Sequence, residues 1–122
     1  MVLKADIENK LPLSESTFLI LLSLASGPRH GYAIMKDVVA LSGDRVQLST
    51  GTLYGALKRL LAEGWIQRAE EDAPPEPDAE RSERRRRYYV LTDQGRGLLE
   101  AEIVRLQSLV TAASLRALEM QA

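Results

Sequence analysis

Residues 48–66 read Leu-Ser-Thr-Gly-Thr-Leu-Tyr-Gly-Ala-Leu-Lys-Arg-Leu-Leu-Ala-Glu-Gly-Trp-Ile, and their pattern decides the fold. Leu53, Leu57, Leu60 and Leu61 recur at helical spacing. Ser49 is placed as an N-cap, its hydroxyl able to accept an orphan backbone N–H at the helix start. Gly64 is placed as a left-handed stop. At 100° per residue the opposite side carries Gly51, Tyr54, Gly55 and Lys58, with Arg59 at its edge. A surface helix usually covers that side with long charged residues. Each interior glycine costs roughly 1 kcal/mol against alanine. A face left that bare suits close approach by something bulky, and nucleic acid is the leading candidate.

Working outward, Pro12 precedes a first helix capped by Ser14 and running to about Ser26. Its run Phe18, Leu19, Ile20, Leu21, Leu22, Leu24 and Ala25 is apolar nearly all round, which predicts burial on most sides. Gly27-Pro28 ends it. A second helix is expected from His30 to Leu41, with Tyr32, Ile34, Met35, Val38, Val39 and Leu41 on its apolar side. Residues 44–48 then form a short extended link into the helix first quoted. Three short helices joined by tight turns, the last with a bare outer face, are the pattern of a helix-turn-helix. Trp65–Ala69 and Arg86–Thr92 have strand composition. The segment between them carries Pro74, Pro75 and Pro77 and reads as a loop at a hairpin tip. The expected fold is therefore mainly α: a winged helix-turn-helix of three helices and a two-stranded wing over residues 1–92, followed by a long C-terminal dimerisation helix over 93–122.

That last helix starts at Thr92. Leu99, Ile103, Leu106, Val110, Ala113, Ala117 and Met120 recur with alternating gaps of four and three, a heptad seam. At about 1.5 Å per residue the helix extends roughly 40 Å, too far for a small winged domain to cover. The same helix from a second copy is the expected cover, with Leu99, Ile103, Leu106, Val110, Ala113 and Ala117 at the contact.

Composition bounds the chemistry. The chain has 122 residues, 45% hydrophobic, enough for one packed domain with an appended element. It has no cysteine, which removes disulfides, thiolate nucleophiles and thiolate metal sites, and fits a cytoplasmic location. One histidine, His30, makes a histidine metal centre in a single chain improbable. No cofactor is expected. No apolar run reaches the roughly 18 residues that span a bilayer, and no signal peptide is expected. The net charge of −1 conceals a partition. Residues 70–80 hold Glu70, Glu71, Asp72, Glu76, Asp78 and Glu80 without a base, whereas Arg81, Arg84, Arg85, Arg86 and Arg87 are opposed only by Glu83. Charge distribution matters more to binding than the sum. Carboxylates concentrated in a proline-rich loop, with one histidine, give no acid–base pair in a cleft, so an enzyme is not expected.

Several segments, in order, resemble the PadR family of bacterial transcriptional regulators. His30-Gly31-Tyr32-Ala33-Ile34 is similar to its HGYxI segment. Ser49-Thr50-Gly51-Thr52-Leu53-Tyr54 is similar to its S-x-G-T-L-Y recognition-helix signature. Leu57-Lys58-Arg59-Leu60 with Gly64-Trp65-Ile66 resembles the close of that helix. Tyr88-Tyr89-Val90-Leu91-Thr92 with Gly95 resembles the approach to the last helix. The resemblance covers about residues 14–110. It implies a homodimer, joined mainly through the C-terminal helix, that binds a pseudo-palindromic operator in double-stranded DNA and usually represses. One C-terminal helix resembles the shorter subfamily. The chain departs from the family in having Gly55 where proline usually follows the tyrosine, and in a longer loop at 70–80. The aromatic drug pocket of some members is not implied, because the C-terminal helix has no Trp, Tyr or Phe.

The expected DNA-binding residues are Ser49, Thr50, Gly51, Thr52, Tyr54 and Lys58 on the third helix, Tyr32 on the second, and Arg84, Arg85 and Arg86 at the wing. Lys58 offers a point charge to phosphate and Tyr54 a hydroxyl to phosphate or a base edge. Thr50 and Thr52 stand at the helix N-terminus, which points into the major groove in helix-turn-helix proteins. Four alternatives stay open here: Tyr32 as a core tyrosine, Arg59 as a partner of Glu63 or of phosphate, the arginine run as a solvated strand end, and the whole chain as a winged-helix protein–protein interaction module without DNA binding. A small-molecule effector is a further open partner.

Overall fold

The computed structural model describes residues 7, 9–69 and 87–121; the acidic segment 70–80 and the arginines at 81–86 lie outside them. Helix α1 (Glu15–Leu24) begins on Ser14, whose hydroxyl accepts the Thr17 N–H at 3.2 Å and donates to Thr17 Oγ1 at 2.9 Å. As its all-round apolar sequence predicts, α1 lies at the centre, with Leu19, Ile20, Leu21 and Leu24 buried. Helix α2 (Gly31–Leu41) is capped by His30, whose Nδ1 accepts the Ala33 N–H at 3.1 Å. Ile34 and Val38 carry its inner side. Helix α3 (Thr50–Glu63) starts on Ser49 and stops at Gly64, which sits at φ 79° as a left-handed cap. Leu53, Leu57 and Leu60 are buried, whereas Leu61 is only half-buried at the margin.

The sheet has one more strand than the expected wing. β1 (Arg29–His30) adds to β2 (Ile66–Ala69) and β3 (Tyr88–Leu91) in the order β1-β3-β2, antiparallel throughout. Its register pairs Arg29 with Tyr89 and His30 with Tyr88. Two residues carry no period-2 signal, so β1 exists because the turn after α1 lays it along the free edge of β3. Arg29 secures that turn, donating from Nε to the Ser23 carbonyl at 2.8 Å and from Nη2 to Ser26 Oγ at 3.1 Å. Alternation along β2 and β3 sends Ile66, Tyr89 and Leu91 into the core beside Trp65.

Helix α4 (Asp93–Met120) is capped by Thr92. The Thr92 hydroxyl accepts the Gly95 N–H at 3.0 Å and donates to the Gly64 carbonyl at 2.6 Å, while its N–H reaches the Trp65 carbonyl at 3.1 Å. A Cβ at Gly95 would collide with that Trp65 carbonyl, so the first turn of α4 closes on β2 only through glycine. Leu98 and Leu99 join the core. Glu102 is buried as well, accepting the Leu13 N–H at 2.7 Å and both Nε and Nη2 of Arg105. Hydrogen bonding from Arg105, then from the Leu13 amide, holds its carboxyl below the usual carboxylate range against the opposing effect of burial. Beyond Leu106 the helix leaves the domain. Its 28 residues extend about 42 Å.

Candidate nucleic-acid interface

The first turn of α3 presents Thr50, Gly51 and Thr52, all exposed. Ser49 accepts the Thr52 N–H at 3.1 Å and donates to Thr52 Oγ1 at 2.9 Å, which fixes both hydroxyls at the helix end. The adjoining free N–H groups and the helix dipole make this end favourable for phosphate. A Cβ built at Gly51 or at Gly55 would meet no described heavy atom within 4 Å. The fold itself therefore sets no requirement for glycine at either position, and both leave α3 backbone open to an outside partner.

Tyr54 is 39% exposed and leans from α3 across to α2. A Cβ at Gly31 would stand 2.5 Å from its hydroxyl oxygen, so glycine at that site makes room for the ring. One residue on, Tyr32 is 63% exposed, which excludes the core alternative for it. Lys36 Nζ lies 5.5 Å from its ring centroid. The His30 ring stacks beside it at 6.5 Å and meets Tyr88 edge-on at 5.5 Å. The structure thus brings Tyr32, Tyr54 and the start of α2 to one side of the molecule. Arg59 does not pair with Glu63 among the described residues. Its Nη2 donates to Thr17 Oγ1 at 3.0 Å, tying α3 to α1, while Glu63 lies 3.8 Å from Lys10. Arg84, Arg85 and Arg86 are outside the described residues.

Lys58 helps to line an open groove of about 580 Å³ between α3 and the sheet. Leu57, Leu61, Tyr54, Tyr89, Arg68 and Arg87 line it too, Leu57 and Tyr89 buried and Arg68 and Arg87 exposed. Burial, and next the neighbouring Tyr54, push the Tyr89 phenol above its ordinary range, with Arg68 and Arg87 pulling the other way. Among the described residues no three His, Cys, Asp or Glu side chains gather to hold a metal, and no helix is long and apolar enough to cross a membrane.

A profile of the PadR-like transcriptional regulators matches residues 20–101, the span from α1 through the first two turns of α4. The chain belongs to that family. It is 40% identical over 89 residues to an uncharacterized 37.1 kDa protein in transposon TN4556 of Streptomyces fradiae, covering 73% of this chain and 22% of that protein. The chain therefore spans about a fifth of that relative's length. Among solved structures it is similar to a PadR family regulator from Clostridium difficile R20291, at TM-score 0.64 and 25% identity over 85% of this chain and 99% of that one. It is also similar in fold to Bacillus subtilis PadR in complex with operator DNA, at TM-score 0.59 and 24% identity over 76% of this chain and 49% of that one.

In this PadR-like chain the expected dimer seam divides in two. Leu99 is buried in the chain's own core, and Ile103 packs against that core. Val110 and Ala113 are exposed, with Ala117 half-exposed, and Leu109, Leu115, Leu118 and Met120 add exposed apolar surface around them. Sequence reasoning passed over Arg68. The signal was present: Arg68 is two residues from Ile66 on β2, so it shares the core-facing side of the strand.

Proposed function

We propose that this transcriptional regulator is a homodimeric, sequence-specific DNA-binding protein, a repressor that recognises a pseudo-palindromic operator. Residues 1–92 read the DNA and 93–122 pair the protomers. The N-terminal half of α3 enters the major groove: Thr50, Gly51 and Thr52 approach base edges, and Ser49, Tyr54 and Lys58 hold phosphates or base edges beside them. Tyr32 contacts the flanking backbone from α2. Arg84, Arg85 and Arg86 are proposed as wing contacts from their charge alone. The observation that carries the reading is the pair Gly51 and Gly55, which the chain's own packing does not require and which leaves backbone bare on the face matching the family's recognition helix.

The partner in the dimer is a second copy of α4. Val110, Ala113 and Ala117, with Leu106 at the domain's edge, form the part of the seam that the chain's own domain leaves uncovered, and Leu99 and Ile103 act from within the core. Two recognition helices then stand about 34–36 Å apart, one turn of DNA. A small-molecule effector, where one exists, acts by shifting the angle between the two winged domains.

Footprinting on the DNA upstream of the protein's own gene tests this. Protection of two half-sites about 10–10.5 base pairs apart is expected. If about 6–10 phosphates are neutralised, affinity falls by about 10³–10⁵ between about 50 and 200 mM salt. No protection, or binding that ignores salt, contradicts the proposal.

A further inference from the structure

Arg59 is an exposed residue of α3, yet it does not use the carboxylate one turn along its own helix, since Glu63 lies near Lys10. Its Nη2 donates instead to Thr17 Oγ1 at 3.0 Å, across to the first turn of α1. That acceptor is held in place. Thr17 is 4% exposed, and its Oγ1 also takes the Ser14 hydroxyl at 2.9 Å, while Ser14 accepts the Thr17 N–H at 3.2 Å. The α1 cap thus fixes the oxygen that Arg59 reaches. Arg45, in the link leading into α3, pairs with Glu15 in the same turn of α1. One arginine before α3 and one within it are therefore both fastened to the start of α1.

The leucine stripe and the Arg59 bond do different things. Apolar packing is non-directional, so Leu53, Leu57 and Leu60 set the depth of α3 and specify its rotation about its own axis only loosely. A hydrogen bond weakens steeply with angle and distance, so one bond on the flank of the helix fixes that rotation. Rotation decides which side chains of the first turns, Thr50, Thr52 and Tyr54 among them, face a base edge. The same cap is held from a second direction. Leu13, the residue before Ser14, donates its N–H to Glu102 of α4 at 2.7 Å, and Glu102 is 1% exposed. Bonds spanning 42 and 89 residues of sequence meet within residues 13–17.

We propose that Arg59 is a positioning residue for sequence reading by α3, and that the α1 cap at residues 13–17 is the joint through which α4 sets the rotation of α3. The inference rests on the reading of α3 as the recognition helix. It assigns the Arg59 guanidinium to the cap and not to phosphate. It also gives Glu102 a part in DNA recognition that its burial would otherwise hide.

Fluorescence anisotropy of the full chain separates positioning from phosphate contact, using the duplex upstream of the protein's own gene and a random-sequence duplex. Arg59→Gln is expected to lower the ratio of own-gene to random-sequence affinity about fivefold, the effect of about one hydrogen bond, with an unchanged log–log salt slope. Loss of a phosphate ligand would instead weaken both duplexes alike and lower the magnitude of the slope by about 0.9. Thr17→Val removes the acceptor from a buried site and should reproduce the Arg59→Gln ratio, whereas Thr17→Ser keeps the hydroxyl and the parent ratio. Glu102→Met and the milder Glu102→Asp both withdraw from the Leu13 amide and should lower the ratio as well. Combining either with Arg59→Gln should add little, because both changes open one joint. Glu102→Gln keeps the Leu13 bond and the parent ratio. Titrations run below the melting range of each variant, set by circular dichroism. A slope lowered by about 0.9 in Arg59→Gln, or a parent ratio in Arg59→Gln or Thr17→Val, overturns the positioning role. A parent ratio in the Met and Asp variants of Glu102, or losses that multiply in the double variant, overturns the joint. Failure of the parent chain to bind any duplex overturns the α3 reading itself.

Discussion

The hydroxyl of Thr92 donates to the carbonyl of Gly64 at 2.6 Å, joining the C-cap of α3, the proposed recognition helix, to the N-cap of the helix proposed to form the dimer. The same oxygen caps α4 through the Gly95 N–H. One side chain thus fixes the direction in which α4 leaves the domain relative to α3. Thr92→Val keeps the shape and loses both bonds. It is expected to cost about 1–2 kcal/mol in a denaturant unfolding curve. It should also broaden the preferred half-site spacing on DNA, because the relation of α3 to the dimer helix is less constrained.

Gly51 and Gly55 separate stability from function. Alanine at either position meets open space and improves helix propensity, so each substitution is expected to stabilise the chain by up to about 1 kcal/mol. The same substitutions place a methyl on the face proposed for DNA and should weaken operator binding. A melt and a binding titration on the same preparation check both directions at once.

Gly31 and Gly95 both stand at close approaches, yet their alanine variants should behave differently. At Gly31 the new methyl meets the hydroxyl end of Tyr54, a side chain that can swing away. Unfolding stability should change little, while DNA affinity falls toward that of Tyr54→Ala. At Gly95 the methyl meets the backbone of Trp65, which cannot move without opening the sheet. Gly95→Ala is expected to destabilise by about 2 kcal/mol or more, measured by chemical unfolding.

Glu102 sets an acid limit. Its folded-state carboxyl is held below the ordinary value of about 4.3, so its stabilising contribution is complete above that value. The contribution is lost as pH falls through the depressed folded value. Glu102→Gln keeps acceptor capacity toward Leu13 but removes the charge that Arg105 pairs with. It should cost about 1–3 kcal/mol at neutral pH and flatten the acid limb of a stability–pH profile. An unchanged acid limb would show that Glu102 does not set it.

Ser23 is a buried hydroxyl on α1 with no hydrogen-bond partner among the described residues. Ser23→Ala removes an uncompensated polar atom from the core. Thermal unfolding should show the variant equal to the parent or more stable by up to about 1 kcal/mol.

Local signals carried the reading furthest. The caps at Ser14, Ser49 and Thr92 and the stop at Gly64 all depend on neighbours within a few residues, so they were legible before any contact was known. The leucine stripe of α3 was too, apart from Leu61, which packs against the core only half-buried while also lining the groove. What escaped depends on tertiary placement. β1 is two residues long and is a strand only because β3 lies beside it. Arg59 turns to Thr17, which is 42 residues away in sequence. Glu102 sits among exposed-looking helix residues, yet the Leu13 amide 89 residues upstream turns it inward. Within the seam, spacing alone could not divide Leu99, claimed by the chain's own core, from Val110, left outside it.

The bare face of α3 as the DNA interface is tested most directly by comparing the parent with Tyr54→Ala/Lys58→Ala on the duplex upstream of the protein's own gene. Salt and fold should be matched. The account predicts salt-dependent binding by the parent and at least about a tenfold loss in the double variant, since each phosphate or base contact removed is worth about 1 kcal/mol or more. Equal affinity of parent and variant would place the DNA elsewhere and contradict it.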